Sequence, residues 1–456
     1  MTFHLDSPLF ADVFGTQEMR ELFDQRSFVE TFLQVEAALA RAEAGAGLIP
    51  VSAAEAISAK ATIEYINSER VAANVEQHGL FSVAIIEAWR SEFDAAGEYV
   101  HWGATTQDIS DTVLVLLCRE AHEAVVRDVD TVRTVLESLI ENYRETPMVG
   151  RTQFRQGPPV TLGLAAATWL DELDRHAVRL RELTERLFVV QLAGASGTVA
   201  ALGEAGPEVR EQFAAELDLR APEVGWTATR DRFVELLSVL SGLAGTLARI
   251  ARRLLFLGRP EIDELSEPLP SGEVGSSTNP HKRNPVYSQH TVGLARLVRG
   301  LADVMSELAE AHDERDRTTW YVEFAVLPEA FVYLGRMLAN TNRALSGLTV
   351  DAEAMEQMIG EAGPLIASEA VMMALAEPLG RQTAHELVRE HALRASDGDG
   401  ERSFIDSLRT DPRVAGRLST DDLVSLTDPT TYLGSAAAFA AAVLNRDRVS
   451  ESEDEG

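Results

Sequence analysis

The chain has 456 residues, of which 45% are hydrophobic and 25% charged. These proportions indicate a folded globular protein and exclude a disordered or fibrous one. Its 72 acidic residues outnumber 41 basic ones and give a formal net charge of -31, which argues against nucleic acid as a partner because a polyanion is bound by clustered cations.

Lysine is almost missing, since Lys60 and Lys282 are the two that occur. An acidic, lysine-poor surface predicts a halophilic protein, because molar salt screens charge repulsion over about 3 Å. The single cysteine, Cys118, excludes an internal disulfide and fits a reducing cytoplasm. The N-terminus MTFHLDSPLF has no basic region followed by an apolar run, and no uninterrupted apolar stretch reaches about 18 residues. We therefore expect a cytoplasmic protein that does not associate with a membrane.

Apolar residues recur at helical spacing, which predicts an all-α fold. The first hundred residues suggest short helices, whereas the stripes Val132, Val135, Leu136, Leu139 and Ile140, and Phe233, Leu236, Leu240, Leu243 and Leu247, belong to long ones. We predict an N-terminal helical domain (1–110), a central bundle (111–350) with a catalytic loop at 270–286, and a C-terminal helical domain (351–449). The acidic tail 450–456 is expected to be disordered.

The first polar stretch, VHWGATTQDISDT at 100–112, precedes a predicted helix. Its threonines and acids are good capping residues. Hydroxyls near a helix N-terminus, with a histidine and a glycine before them, also suit a bound carboxylate. The two interpretations are compatible and equally supported.

The second polar stretch, GRTQFRQGPPVT at 150–161, has several hydrogen-bonding side chains before another predicted helix. Taken alone, it is a weak signal.

The third polar stretch, GSSTNPHKRNP at 275–285, combines a glycine and two prolines with hydroxyls and cations. It is either a solvated connector or a loop that offers N–H groups, a lysine and a hydroxyl to an anion. Because a chain nearly devoid of lysine has Lys282 here, we expect a task that arginine cannot perform.

In this order and at these separations, the three stretches resemble the conserved regions of the fumarase/aspartase superfamily over nearly the whole chain. The third matches the superfamily pattern GSSxMPxKxNP except at Asn279. Similarities continue in GASGTVAALG, WTATRDR, HDERDRTTWYVEFAVLPEAF and SEAVMMALAEPLGRQTAHELV. The resemblance implies a homotetramer with a twenty-helix core and active sites shared between subunits, and it requires no metal or cofactor.

The resemblance also implies roles for individual residues in β-elimination, or its reverse, on a small polycarboxylate. Ser276 corresponds to the general base, while Lys282 and Asn284 stabilise the aci-carboxylate formed beside the base. The residues implied as substrate contacts are His101, Thr105, Thr106, Arg151, Gln153, Arg315 and His78. Gln153 departs from the family, because relatives usually carry histidine there in GRTHxQ, and glutamine cannot titrate.

Within the superfamily, HWGATTQD is most similar to the 3-carboxy-cis,cis-muconate cycloisomerases. The alternative is adenylosuccinate lyase, which releases fumarate in purine biosynthesis. Phe324 disfavours that alternative, because adenylosuccinate lyases commonly hold the nucleotide phosphate with an arginine at this position. Thr229 stands where both families usually have glutamine.

Two further interpretations are weaker. His385 and His391 are six residues apart, so they do not form the HExxH zinc motif, whose histidines are four apart. A catalytically silent structural or dicarboxylate-binding homologue is disfavoured because both Ser276 and Lys282 are present.

Overall fold

The computed structural model describes Leu5 and residues 7–269, 278–279, 281–396 and 404–446. The predictions for Ser276, for most of the loop 270–286 and for the tail 450–456 therefore fall outside the described residues. The described part is mainly helical, which confirms the all-α fold class. Its α-helices are, in chain order, α1 (Ala11–Phe14), α2 (Gln17–Leu22), α3 (Gln25–Gly45), α4 (Val51–Ala59), α5 (Ser68–His78), α6 (Phe81–Arg90), α7 (Thr106–Tyr143), α8 (Leu162–Leu187), α9 (Gly206–Glu216), α10 (Asp231–Leu257), α11 (Val286–Glu307), α12 (Arg317–Ser346), α13 (Ala352–Ala362), α14 (Ser368–Leu379), α15 (Arg381–Ser396), α16 (Phe404–Arg409), α17 (Pro412–Ala415), α18 (Thr420–Leu426) and α19 (Ala436–Leu444).

The connections between these helices contain 3-10 helices and short strands. The 3-10 helices are Ile63–Tyr65, Ala95–Tyr99, Ala200–Ala205, Gly363–Ala367 and Pro429–Thr431. The strands form two antiparallel pairs: β1 (Pro147–Thr152) with β2 (Arg155–Thr161), and β3 (Leu265–Ser266) with β4 (Thr349–Val350).

The long helices form where the sequence has its apolar stripes. Val132 and Leu136 are fully buried in α7, and Phe233, Leu240 and Leu247 are fully buried in α10. A helix whose apolar residues recur every three or four positions buries one face, and this burial supplies most of its stability.

The described chain divides into two compact units, each assembled from separate segments. Unit 1 comprises Met1–Asp130, Arg175–Arg249 and Gln289–Thr341. Its core surrounds α3 and the first turns of α7 and contains Phe32, Leu33, Ile57, Trp89, Ile109, Val113, Val190 and Phe213.

Unit 2 comprises Thr131–Asp174, Ile250–Ser288 and Asn342–Gly456. One of its cores lies among helices α14 to α18 and contains Val371, Leu375, Leu387, Phe404, Leu408, Val414 and Leu423. The helices α7, α8, α10, α11 and α12 each contribute residues to both units. The three consecutive domains expected from the sequence stay a prediction, since the units group segments by packing and not by chain order.

Two stretches, Asp231–Leu257 and Ala352–Leu379, are long and apolar enough to cross a membrane by length and composition alone. In the most apolar 18-residue window of each stretch, 56% is buried inside the structure for Asp231–Leu257 and 39% for Ala352–Leu379. Two such stretches are weak evidence for membrane spans, because the core helices of globular proteins pass the same test of length and composition.

Candidate active site

The turn before α7 presents a pair of threonines and is fixed by one buried carboxylate. Asp108 accepts hydrogen bonds from the backbone N–H of Thr105 at 3.0 Å, of Ala193 at 2.9 Å and of Gly194 at 3.0 Å. Burial raises the pKa of Asp108 to about 7, against the three N–H donors, which lower it. The segment GASG is thereby tied to the start of α7, where Thr106 is the first helical residue.

The two threonine hydroxyls of this turn are occupied by Arg315. Its Nη1 donates to Oγ1 of Thr105 at 2.5 Å, and its Nη2 donates to Oγ1 of Thr106 at 3.1 Å. The guanidinium also lies 5.9 Å from the ring centroid of Trp320. Among the described residues no carboxylate pairs with Arg315, which is only half-buried. A positioned cation without an internal counter-ion can bind an anionic ligand.

His101 lies in the same turn and is held by Glu36 of α3. Its Nδ1 is 2.7 Å from Oε1 of Glu36, and the histidine has a positive φ of 62°. Gly103, with φ 69°, follows two residues later, and a Cβ at this position would lie 2.3 Å from Cδ2 of Leu202. The glycine of this motif is therefore required both by its backbone conformation and by close packing.

A buried ion cluster lies on the next turn of α7. Arg230 donates to both carboxylate oxygens of Asp111, at 2.9 and 3.1 Å, and to Oε1 of Glu323 at 2.6 Å. The three side chains are at most 1% exposed. Arg230, which directly precedes α10, is thus paired with two carboxylates and links the start of this helix to α7 and α12.

Phe324, which stands where an arginine would hold a phosphate, is part of an aromatic cluster. Its ring centroid is 5.0 Å from that of Phe81 and 5.9 Å from those of Phe28 and Trp320. Since Trp320 also packs against Arg315, the cluster provides an apolar surface next to this cation.

His78 is the last residue of α5, in unit 1. Gly79 ends this helix with a φ of 65°, and the hydroxyl of Tyr321 donates to its carbonyl at 3.3 Å. The chain at His78 is thus tied to α12, and its role as a substrate contact stays a prediction.

In unit 2, the second polar stretch forms the antiparallel hairpin β1–β2, which was not predicted from the sequence. Gln153 and Phe154 are its two turn residues, with φ of 52° and 61°. Two-residue hairpin turns of this type usually contain asparagine or glycine, so this turn is strained. Both side chains are exposed, and Phe154 fully so. Gln153 lies at a protruding tip, and the structure does not test its contact with substrate.

Arg151 is paired within unit 2 with a buried acid. It donates to both oxygens of Glu264, at 3.0 and 2.7 Å, and to the carbonyl of Val149 at 3.1 Å. Glu264 is fully buried, and the side chain of Arg151 is 9% exposed. The bidentate pair anchors the hairpin, and the predicted anion contact of Arg151 stays a prediction.

The end of the predicted catalytic loop is described from His281 onward, where Lys282 is exposed and Asn284 half-buried. Glu267, on the other side of the loop, accepts hydrogen bonds from the backbone N–H of Tyr287 and of Ser288 at 2.9 and 3.1 Å. It caps the first turn of α11, so the two ends of the loop are held together.

Glu36 and Glu267 were missed in the sequence. A signal for Glu36 is present, because the acid interrupts an otherwise apolar helix in VEAALARA. Glu267 has no comparable signal, since one acid before a long loop is indistinguishable from a surface residue.

Comparisons with known proteins identify the family to which this chain belongs. A family model described as "Lyase" matches residues 14–300, and another described as "Adenylosuccinate lyase C-terminus" matches residues 364–443. An N-acetyl-S-(2-succino)cysteine lyase from Dickeya dadantii is 38% identical over 96% of both chains. A 3-carboxy-cis,cis-muconate cycloisomerase from Pseudomonas aeruginosa is 39% identical over 96% of this chain and 95% of its own. The crystal structure of the 3-carboxy-cis,cis-muconate lactonizing enzyme from Pseudomonas putida superimposes with a TM-score of 0.88 at 36% identity, covering 96% of this chain and 98% of the other.

Proposed function

Because this chain belongs to the fumarase/aspartase superfamily of lyases, we propose that it converts 3-carboxy-cis,cis-muconate to a carboxymuconolactone. In this reaction one carboxylate oxygen of the substrate adds to its own conjugated double bond, and the carbon alpha to another carboxylate takes up a proton. Read backward, the reaction is a β-elimination, in which a base removes that proton and the carboxylate leaves.

The observation that carries this proposal is the placement of Arg315 on the two threonine hydroxyls at the start of α7. The guanidinium is fixed by Thr105 and Thr106 and has no carboxylate partner among the described residues. With His101 in the same turn, the site offers two donor groups to a carboxylate. A tricarboxylate such as carboxymuconate provides such groups without a phosphate.

The aromatic cluster supports a substrate without a phosphate. Phe324 packs among Phe28, Phe81 and Trp320 and leaves an apolar surface where a nucleotide would need a cation. A conjugated diene is planar and apolar between its carboxylates, and it suits such a surface.

The proposed chemistry centres on the loop 270–286. Ser276, which lies outside the described residues, corresponds to the base of the family pattern: it removes the proton from the alpha carbon in the elimination direction, and its hydroxyl returns the proton to that carbon in lactonisation. Lys282 and Asn284 stabilise the aci-carboxylate, and a single preorganised donor of this kind contributes about 3 kcal/mol. Glu267 holds the ends of the loop together at α11.

Gln153 supports a leaving group that departs without protonation. A carboxylate leaves as a stable anion, whereas the amine of adenylosuccinate needs a proton, which glutamine cannot supply. This argument disfavours adenylosuccinate lyase, although a family model for its C-terminus matches residues 364–443.

A second candidate is β-elimination from a 2-succinyl thioether, such as N-acetyl-S-(2-succino)cysteine. The relative from Dickeya dadantii supports it with an identity of 38% over 96% of both chains. A thiol has a pKa of about 8.5, so its thiolate also leaves without a strong acid, and Gln153 is compatible with this substrate too.

The decisive experiment is an ultraviolet assay in molar KCl with three parallel substrates. Catalytic loss of the diene absorbance of 3-carboxy-cis,cis-muconate supports the proposal. If only N-acetyl-S-(2-succino)cysteine or only adenylosuccinate is turned over, that compound replaces 3-carboxy-cis,cis-muconate as the proposed substrate. Absence of turnover in all three cuvettes overturns the enzymatic assignment to these reactions and leaves the silent homologue.

We further infer a cytoplasmic homotetramer that needs neither cofactor nor metal and tolerates molar salt. The net charge of -31 supports the tolerance of molar salt, because screening by salt relieves repulsion between the acidic surfaces. Size-exclusion chromatography with light scattering, in 2 M and in roughly 0.1 M KCl, tests the tetramer and its dependence on salt. A monomer in molar salt contradicts the assembly.

A further inference from the structure

The carboxylate that holds His101 comes from the middle of a buried helix. Glu36 is 2% exposed and contacts Nδ1 of the histidine through Oε1, whereas its Oε2 has no hydrogen-bond partner among the described residues. The side chain of His101 is 16% exposed, and its φ of 62° is unfavourable for a residue with a side chain. Such strain persists only where surrounding contacts overdetermine the position, and it is frequent at functional sites.

Three charged groups from three helices act on His101. Glu36 belongs to α3, Asp108 to α7 and Arg90 to α6. Burial is the largest single effect and lowers the pKa of His101, as does the charge of Arg90. The hydrogen bond and charge of Glu36 and the charge of Asp108 raise this pKa, and together they outweigh the lowering. The pKa of the histidine therefore lies above its ordinary value.

The protonation of His101 decides what the other ring nitrogen can do. In a neutral imidazole that donates from Nδ1 to Glu36, Nε2 is an acceptor and repels a carboxylate. In the imidazolium, both nitrogens donate, and Nε2 becomes a charged donor. Within the described chain, Nδ1 is the ring nitrogen with a partner.

We propose that Glu36 is a positioning residue which keeps His101 an imidazolium and leaves its Nε2–H to bind a carboxylate of the substrate. The proposal rests on the proposed function in one respect, namely that the substrate is a polycarboxylate. His101 and Arg315 then form a pair of cations around the turn before α7, and the site selects substrates with at least two carboxylates. A glutamine at position 36 accepts the same hydrogen bond from Nδ1 but supplies no charge, so it isolates the electrostatic contribution.

The matched control is Glu43, on the same helix seven residues later. It is fully buried, and neither of its oxygens has a partner among the described residues. Burial and, to a smaller extent, the charge of Glu36 raise its pKa to about 9, so this carboxyl is uncharged near neutral pH. Glu43→Gln makes the same chemical change in the same helix without removing a charge from His101.

The first measurement does not depend on turnover. Histidine rings labelled with ¹³C are titrated by NMR in wild type, Glu36→Gln and Glu43→Gln, and the His101 signal is assigned by its loss in His101→Asn. We expect a midpoint above about 6.5 in wild type, a fall of about one pH unit or more in Glu36→Gln, and no shift in Glu43→Gln. A wild-type midpoint below this value overturns the proposal even if Glu36→Gln does not fold.

The second measurement is the pH profile of kcat/KM with the substrate that wild type turns over. For Glu36→Gln the alkaline limb moves to lower pH, with roughly a tenfold loss per pH unit above the new midpoint and a small change below it. A uniform loss at all pH values indicates a structural role and overturns the proposal. If wild type turns over none of the three substrates, the proposed function fails, while the NMR titration still decides the state of His101.

Discussion

Glu267 accepts two hydrogen bonds from Ser288, one from the backbone N–H at 3.1 Å and one from the hydroxyl at 2.7 Å. The two residues lie on either side of the loop 270–286 and close its base. Burial raises the pKa of Glu267, while the hydrogen bonds from Ser288 and Tyr287 lower it. The same contact thus caps a long helix and fixes the ends of the segment that carries the proposed base.

We predict that Glu267→Gln lowers both stability and kcat. The amide retains one acceptor but loses the charge that favours the helix N-terminus, a loss of about 1–2 kcal/mol. Thermal unfolding and steady-state kinetics in molar KCl measure the two effects. The control is Glu261→Gln at an exposed position of the same connection. Equal unfolding temperatures and kcat for the two variants contradict a closing role for Glu267.

Arg315→Lys tests the guanidinium that bridges two hydroxyls. A lysine is a point charge and cannot reach Thr105 and Thr106 in the same planar geometry. We expect KM to rise roughly tenfold, which corresponds to about 1.4 kcal/mol, with a smaller change in kcat. Arg26→Lys, on the exposed face of α3, serves as the control and keeps the wild-type KM. An unchanged KM in Arg315→Lys removes this residue from the substrate site.

Ser276→Ala is expected to abolish turnover and leave the tetramer intact, since the family pattern makes this serine the base. The neighbouring Ser277→Ala retains measurable turnover, because only the first serine corresponds to the base. Kinetics and light scattering on both variants decide the assignment. Turnover by Ser276→Ala that matches Ser277→Ala would exclude it.

The two lysines permit a direct comparison. Lys60 donates to the carbonyl of Glu92, and its ammonium lies 5.5 and 5.0 Å from the ring centroids of Tyr65 and Phe93. We expect Lys60→Arg to cost about 1 kcal/mol of stability and to leave kcat unchanged. Lys282→Arg, at an exposed position, leaves the unfolding temperature unchanged but lowers kcat roughly a hundredfold. Thermal unfolding and steady-state kinetics measure both effects. A lower unfolding temperature with an unchanged kcat in Lys282→Arg would assign a structural role to Lys282.

Glu43 makes stability depend on pH. Its pKa rises from 4.5 to about 9, so the folded state keeps a proton that the unfolded chain releases above pH 4.5. The free energy of unfolding therefore falls between these values, by up to roughly 1.4 kcal/mol per pH unit. Relative to wild type, Glu43→Gln gains up to about 3 kcal/mol between pH 5 and 7. Denaturant unfolding at both pH values measures the gain. We expect the free energy of unfolding of the control Glu55→Gln, at an exposed position, to change with pH as in wild type. If Glu43→Gln also shows the pH dependence of wild type, the prediction is wrong.

The long helices could be predicted because their burial follows a repeat that is visible in the sequence. Leu136 and Leu240 are buried as their spacing requires. The hairpin could not be predicted, since its turn at Gln153 and Phe154 has none of the residues that favour a positive φ. Neither strand shows apolar alternation either, because β1 has three consecutive buried residues and the buried positions of β2 are Gly157, Pro159 and Thr161.

The residues of the candidate site could be predicted together only where they lie close to one another in the sequence. Thr105 and Thr106 are adjacent, but their contact with Arg315 spans 210 and 209 positions and depends on packing. The partner of His101, 65 positions earlier, is likewise a product of tertiary structure. Lys60 shows a further limit, because it is a rare lysine whose contacts are with a backbone carbonyl and two aromatic rings. The scarcity of lysine alone therefore does not establish a role for Lys282.

The interleaving of the two units governs the order in which the polypeptide can acquire its structure during synthesis. The first 130 residues emerge from the ribosome before their partners at 175–249 and 289–341, so unit 1 cannot be completed until about three quarters of the chain has been made. Unit 2 needs the C-terminal segment after Asn342. Nascent helices with exposed apolar faces must therefore wait for distant segments, a condition that favours aggregation and dependence on chaperones.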